Sequence, residues 1–269
     1  MPAPQITSCL ACNWTSDAPK CYHTGMIGFI SCVVSIILCT FVYVRMVKRE
    51  EPMTLGKKSI IPVALGLVVP IITTFLVILI NLAVRMIAGD SSSVHVPNQA
   101  LSSLANAFLG AGFPEELLKL LFALLVVAIV RPKTVYAYAL MFIGVGFGFT
   151  ALEEFLYGGG NDLLSLARLP GFALHMVFGM MMGVNLGLAR YRKKQGTGST
   201  SKLVLTALII PVLWHTIYDA ATVDNVGIEA ESDIALAIAL AVDIATIVLQ
   251  FVLLVKFRKK SKVLCQMEF

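Results

Sequence analysis

The sequence predicts an all-α polytopic membrane protein, a bundle of about seven transmembrane helices with its N-terminus outside and its C-terminus cytoplasmic. Three observations carry that expectation. Hydrophobic residues make up 58% of the 269 and charged residues only 14%, with a mean hydropathy of +0.84; a soluble domain carries about 25% charge. The apolar residues fall in continuous runs long enough to cross a bilayer as helices, not in the short alternating segments of a barrel. The charges between the runs switch sign from one loop to the next.

Residues 1–25 read as a polar extracytoplasmic tail without the basic start of a cleavable signal, so the first span is expected to direct insertion. Within the tail, Cys9, Cys12, Cys21 and His23 have a spacing that suits zinc, a disulfide with one thiol left over, or no pairing at all. The spans follow at 26–44, 60–88, 100–130, 134–157, 163–189, 203–220 and 234–256. Pro62 and Pro70 are expected to kink the second. Gly110-Ala-Gly112-Phe-Pro114 interrupts the third, so 100–112 is expected as a surface or re-entrant piece ahead of a short helix from Pro114. Gly144, Gly146 and Gly148 in the fourth span, and Gly179, Gly183 and Gly187 in the fifth, are stripes for close helix packing. The bundle 26–256 is a single domain, and 257–269 reads as a basic cytoplasmic tail.

Orientation comes from charge. Loops 45–59, 131–133 and 190–202 and the segment from Lys256 hold 17 of the 21 Lys and Arg residues. The tail and loops 89–99, 158–162 and 221–233 hold seven acids and, among bases, only Lys20. Basic loops stay in the cytoplasm. The net charge of +5 is therefore a topology signal and not a nucleic-acid footprint.

Glu115, Glu116, Glu153, Glu154, His175, His215, Asp219 and Asp243 lie inside apolar runs. A carboxylate there costs roughly 2.5–3.5 kcal/mol even on lenient scales. Counted at about 1.5 Å per residue from the cytoplasmic helix ends, Glu115, Glu153, His175, His215, Asp219 and Asp243 all sit roughly 18–29 Å up. That is the outer half of a core about 30 Å thick, a shared layer that points to one site. Glu115 and Lys119 are spaced i,i+4, as are His215 and Asp219, and Phe149 and Glu153. Glu116 is about 100° around its helix from Glu115. Each residue also has an ordinary reading. Glu115 and Glu116 after Pro114 suit a helix start, Glu154 suits headgroups, the histidines suit packing, Asp219 suits the interface, and Asp243 suits a pair with Arg168 or Arg85.

A carboxylate facing imidazoles in a water-accessible pocket can activate water, and a histidine with an acid one turn on can donate hydrogen bonds to a developing oxyanion. No phosphate loop, nucleophile-elbow serine or His-Glu-x-x-His helix is present. Hydrolysis by activated water is the natural class.

Four motifs, Glu115-Glu116-Leu-Leu-Lys119, Phe149-Thr-Ala-Leu-Glu153, His175-Met-Val-Phe-Gly179 and His215-Thr-Ile-Tyr-Asp219, occur in that order within about 105–220. In order and spacing the chain resembles the PrsW family of intramembrane glutamic-type proteases, within the wider superfamily of CAAX prenyl proteases and bacteriocin-processing enzymes. The resemblance implies an intramembrane endopeptidase with its catalytic core at about 105–220, cutting near the extracytoplasmic face. Glu115 would be the water-activating base and Glu116 its assistant or a partner of Lys119. Glu153 and His175 would hold the water or a metal, and His215 and Asp219 would polarise the scissile carbonyl. Phe149 and Glu154 would support; Glu154 stands where many relatives carry Asn. A divalent metal, zinc, is open: His175, His215 and a Glu suffice for three ligands. The implied partners are the bilayer of a bacterial plasma membrane and a membrane-anchored protein or peptide such as an anti-sigma factor. Two rival readings are a proton-coupled transporter and a non-catalytic immunity or binding relative.

Overall fold

A computed structural model describes residues 21–49, 56–88, 99–158, 169–227 and 233–269. Cys9 and Cys12 lie outside the described residues, as does Arg168. The helices are α1 (Cys21–Val47), α2 (Ile60–Ala88), α3 (Gln99–Ala107), α4 (Phe113–Val130), α5 (Val135–Gly158), α6 (Leu174–Gln195), α7 (Ser201–Gly227) and α8 (Asp233–Gln266). No β-strand occurs among the described residues; one isolated bridge joins Thr134 and Glu268.

By length and composition α1, α2, α5, α7 and α8 are able to cross a membrane. The two remaining long helices carry charge near one end. α4 carries Glu115, Glu116 and Lys119, and α6 ends on Arg192, Lys193 and Lys194. The architecture is a helix wrapped by helices. The span Val135–Leu156 of α5 is 89% buried, against 11% for Leu236–Gln266 of α8, so α5 is the axis. The outer helices present Phe29, Ile37, Phe75, Leu205, Leu213 and Phe251 outward, an apolar surface suited to hydrocarbon.

The glycines set the spacing. Gly146 of α5 lies against the His175 carbonyl of α6, where a Cβ would collide with backbone. Gly179 and Gly183 of α6 meet Phe142 and Ala139 of α5 in the same way, as the small-residue stripe predicts. Gly146→Val is expected to destabilise the protein by about 1–3 kcal/mol, as overpacking does. Because it pries His175 off α5, it should lower activity more than stability, as thermal unfolding and turnover measured on one preparation would show.

Three segments differ from expectation. The helix does not break at Gly110–Pro114. Phe108–Gly112 forms a π-helical turn that joins α3 to α4 without interruption, and the Phe113 N–H donates to the Phe108 carbonyl. A wide turn absorbs Pro114, which has no N–H, in place of a break. The fifth span is not one continuous helix: a short 3-10 turn at Leu169–Gly171 precedes α6, which begins at Leu174, and the expected start at 163 lies outside the described residues. Helix α8 runs to Gln266, ten residues past the expected 256. Its end is tied down: the Val135 N–H donates to the Met267 carbonyl at 3.0 Å and the Phe269 N–H to the Lys133 carbonyl at 2.9 Å. Of the two prolines, only Pro70 lies within the body of α2; Pro62 is in the first turn, where an N–H has no helical partner to lose.

The start of α6 matters most for the site. The Cys39 thiol of α1 donates to the Phe172 carbonyl at 3.1 Å. The Ala173 N–H donates to Gln250 Oε1 of α8 at 3.0 Å. Gln250→Leu leaves that buried N–H orphaned, with an expected loss of about 1–3 kcal/mol, readable by chemical unfolding in detergent.

Candidate active site

Four helices deliver the sequence-predicted residues to one buried centre. Helix α4 presents Glu115 and Glu116 in its first turn and Lys119 one turn later. Helix α5 presents Phe149, Glu153 and Glu154 near its end, α6 presents His175 at its second residue, and α7 presents His215 and Asp219. Glu116 is fully buried, whereas the Glu115 side chain is 12% exposed.

The polar contacts form a chain. The Lys119 ammonium lies 2.6 Å from Glu116 Oε1, 3.5 Å from Glu115 Oε2 and 2.7 Å from His175 Nδ1. Lysine only donates, so His175 accepts at Nδ1 and donates from Nε2 to Glu153 Oε2 at 2.7 Å. On the other side His215 Nδ1 is 2.8 Å from Glu116 Oε1. Its Nε2 faces Asp219 Oδ2 at 3.3 Å and Glu115 Oε2 at 3.7 Å. An N–H at His215 Nε2 donates to these carboxylate oxygens, which only accept when ionised. Among the described residues Glu116 Oε2, and Glu115 Oε2 apart from its long contacts to Lys119 and His215, are buried with no hydrogen-bond partner. Buried carboxylate oxygens of that kind are expensive in a finished core and ordinary in a centre that binds something.

Aromatic rings close the site. Phe149 packs on His175 with ring centroids 4.7 Å apart, and the Lys119 ammonium lies 3.9 Å from the Phe149 ring centre, a cation–π contact. Phe178 flanks His215 at 5.8 Å. A cavity of 10 Å³ adjoins the acids, lined by Thr150, Glu153, Glu154, His175, Tyr218 and Asp219 among others. That is close to the space one water needs.

Glu115, Glu116, His175 and His215 each place a ligand atom within 4.8 Å of the other three. Two carboxylates and two imidazoles with orphaned oxygens are a donor set a divalent metal accepts. The Lys119 ammonium, within 2.7 Å of two of those four residues, is a competing cation for the same place.

The ordinary readings fare unevenly. Glu115 and Glu116 do not answer a bare helix end, because the π-turn continues the hydrogen-bonded path into α4. Glu154 is 7% exposed and lines the small cavity, so it does not reach headgroups. Asp243 stays outside the cluster. Its Oδ1 is buried without a hydrogen-bond partner, and among the described residues no ion pair joins it to Arg85. Thr150, Gly171 and Tyr218 line the cavity and escaped the sequence reading. Thr150 and Tyr218 are each three residues from a recognised acid or histidine, so helical spacing was the signal that could have found them.

The fold and site together define a class: a helical membrane protein with a buried carboxylate–imidazole centre assembled from four helices. Residues 59–255 match the PrsW family, described as an intramembrane metalloprotease family, and the chain belongs to that family. Among individual relatives, Protease PrsW of Halalkalibacterium halodurans is 34% identical over 122 residues, which are 44% of this chain and 54% of that protein. The chain thus spans about half the length of that curated relative. No solved structure matches the chain.

Proposed function

We propose that the protein is an intramembrane endopeptidase that hydrolyses membrane-anchored proteins or peptides with a water activated by Glu115. The observation that carries this reading is the contrast between two adjacent acids. Glu116 is bonded to Lys119 and His215 at 2.6 and 2.8 Å. Glu115 Oε2 makes only long contacts, 3.5 Å to Lys119 and 3.7 Å to His215, on a side chain that is 12% exposed where Glu116 is fully buried. A base has to be reached by water and free to take a proton; Glu115 is the more exposed and the more loosely held of the two.

The other roles follow from contacts. Glu116 fixes the Lys119 ammonium and orients His215. Glu153 holds His175 through Nε2. His215, backed by Asp219, is placed to donate to an oxyanion on the substrate carbonyl and then to the leaving amine, while Glu115 removes the proton of the attacking water. Phe149 and Phe178 exclude bulk water and strengthen each of these interactions. Glu115, Glu116, His175 and His215 would hold a divalent metal, zinc by donor type, which when bound polarises a carbonyl or acidifies water.

The charge asymmetry of the loops supports a topology with the basic end of the bundle in the cytoplasm and the site toward the extracytoplasmic face of a bacterial plasma membrane. An anti-sigma factor, cut near that face, is the kind of substrate this position serves. The test is purified protein in bilayers with a single-span peptide, with and without chelator, and products read by mass spectrometry. Cleavage at the outer edge of the span that His215→Ala abolishes supports the proposal; unchanged cleavage in that variant refutes it. Loss with chelator and recovery with zinc would assign the metal.

A further inference from the structure

At the opposite end of the bundle two cavities share a wall. One is apolar, 410 Å³, and runs between α1 and α8, where Phe41, Val42 and Met46 face Phe251, Leu254 and Val255. The other is 680 Å³ and basic, with Arg49, Lys133, Arg258, Lys259 and Lys262 around it and Glu268 as its carboxylate. Arg49 and Arg258 line both. These two arginines are held together: Arg49 Nη1 lies 3.5 Å from the Arg258 carbonyl. The volumes fall in the range of small-molecule sites, roughly 300–1,000 Å³.

We propose that this paired groove binds an anionic phospholipid, with an acyl chain between α1 and α8 and its phosphate at Arg49 and Arg258. The apolar half opens on the hydrocarbon-facing surface, since Phe41 is 57% exposed and Phe251 69%, on helices able to span the membrane. The basic half begins where the apolar residues end, at the level of a headgroup. Arginine matches phosphate geometry with paired donors, and basic pockets at helix ends of this kind take acidic headgroups. An acidic soluble peptide would have no use for the lipid-facing half, and free phosphate would use only the basic half. The basic cavity exists because α8 does not fray. Its end is clamped by the Thr134–Glu268 bridge, and Phe269 packs edge-on to Tyr138 at 5.7 Å beneath the Arg190 guanidinium at 4.7 Å. The proposal does not depend on the proteolytic reading.

The test is native mass spectrometry of delipidated protein in uncharged detergent, titrated with phosphatidylglycerol, with phosphatidylcholine, and with phosphatidylglycerol against millimolar inorganic phosphate. The variants are the pair Arg49→Gln and Arg258→Gln, both exposed, and the charge-matched control pair Lys193→Gln and Lys194→Gln on α6, also exposed. The expected result is one tightly held phosphatidylglycerol per chain. Phosphate should not displace it, the arginine pair should weaken it roughly 10- to 30-fold, and the control should change it less than about twofold. Equal loss in the control, equal binding of phosphatidylcholine, or displacement by inorganic phosphate would each overturn the proposal.

Discussion

Glu115→Gln should leave a folded, inserted protein that cleaves its substrate about 10²–10⁴-fold more slowly, the range a positioned general base contributes. The amide keeps the shape of the carboxyl and removes only its capacity to take a proton. Because Glu115 is the acid with the longest contacts, 3.5 Å to Lys119 and 3.7 Å to His215, its replacement breaks no short hydrogen bond. Thermal unfolding in detergent should therefore shift little while single-turnover cleavage falls. Glu116→Gln should behave differently. It removes half of a 2.6 Å ion pair with Lys119 and should lose stability and activity together. Equal stability losses for the two variants would contradict the division of labour between them.

Lys119→Met is expected to be the most damaging single change to stability. The ammonium is buried against Glu116 and His175 and faces Glu115. Removing one partner of a buried pair costs about 3–5 kcal/mol, because the remaining charge stays in low dielectric. The double variant Glu116→Gln with Lys119→Met removes both charges and should recover much of that loss without recovering activity. If the single and double variants are equally unstable, the Lys119–Glu116 pair is not the unit that the contacts describe. The same variants bear on the metal, since the ammonium occupies a place among ligand atoms that lie within 4.8 Å of one another. If metal and ammonium compete, Lys119→Met should bind zinc more tightly than the unsubstituted protein, as isothermal titration in detergent would show.

The parts of the site that sequence makes legible are those fixed by helical spacing. His215 and Asp219 share a face because they are one turn apart, and their atoms are 3.3 Å apart in the structure. Helix rise counts Asp243 into the same layer as these residues, yet it joins neither the ligand cluster nor the small cavity. Spacing does not decide between i+3 and i+4: Lys119 satisfies both, and packing gives Glu116 the shorter contact. Nor does it reveal the π-turn at Phe108–Gly112, because glycine and proline signal a break and only the surrounding helices decide whether the path reforms. The Phe172–Ala173 entry to α6 is bonded to Cys39 and Gln250, distant in sequence and adjacent in space. The extended α8 is held by contacts to the α4–α5 connection, information that a basic tail read locally does not contain.

The most direct measurement is cleavage of a single-span peptide by the purified protein in bilayers made up in ¹⁸O water, with each product mass-resolved. The account predicts one cut near the extracytoplasmic edge of the span, one solvent oxygen in the new carboxyl terminus, and about 10²–10⁴-fold less product from Glu115→Gln. Product formed by Glu115→Gln at the unsubstituted rate, or product without solvent oxygen, would contradict it.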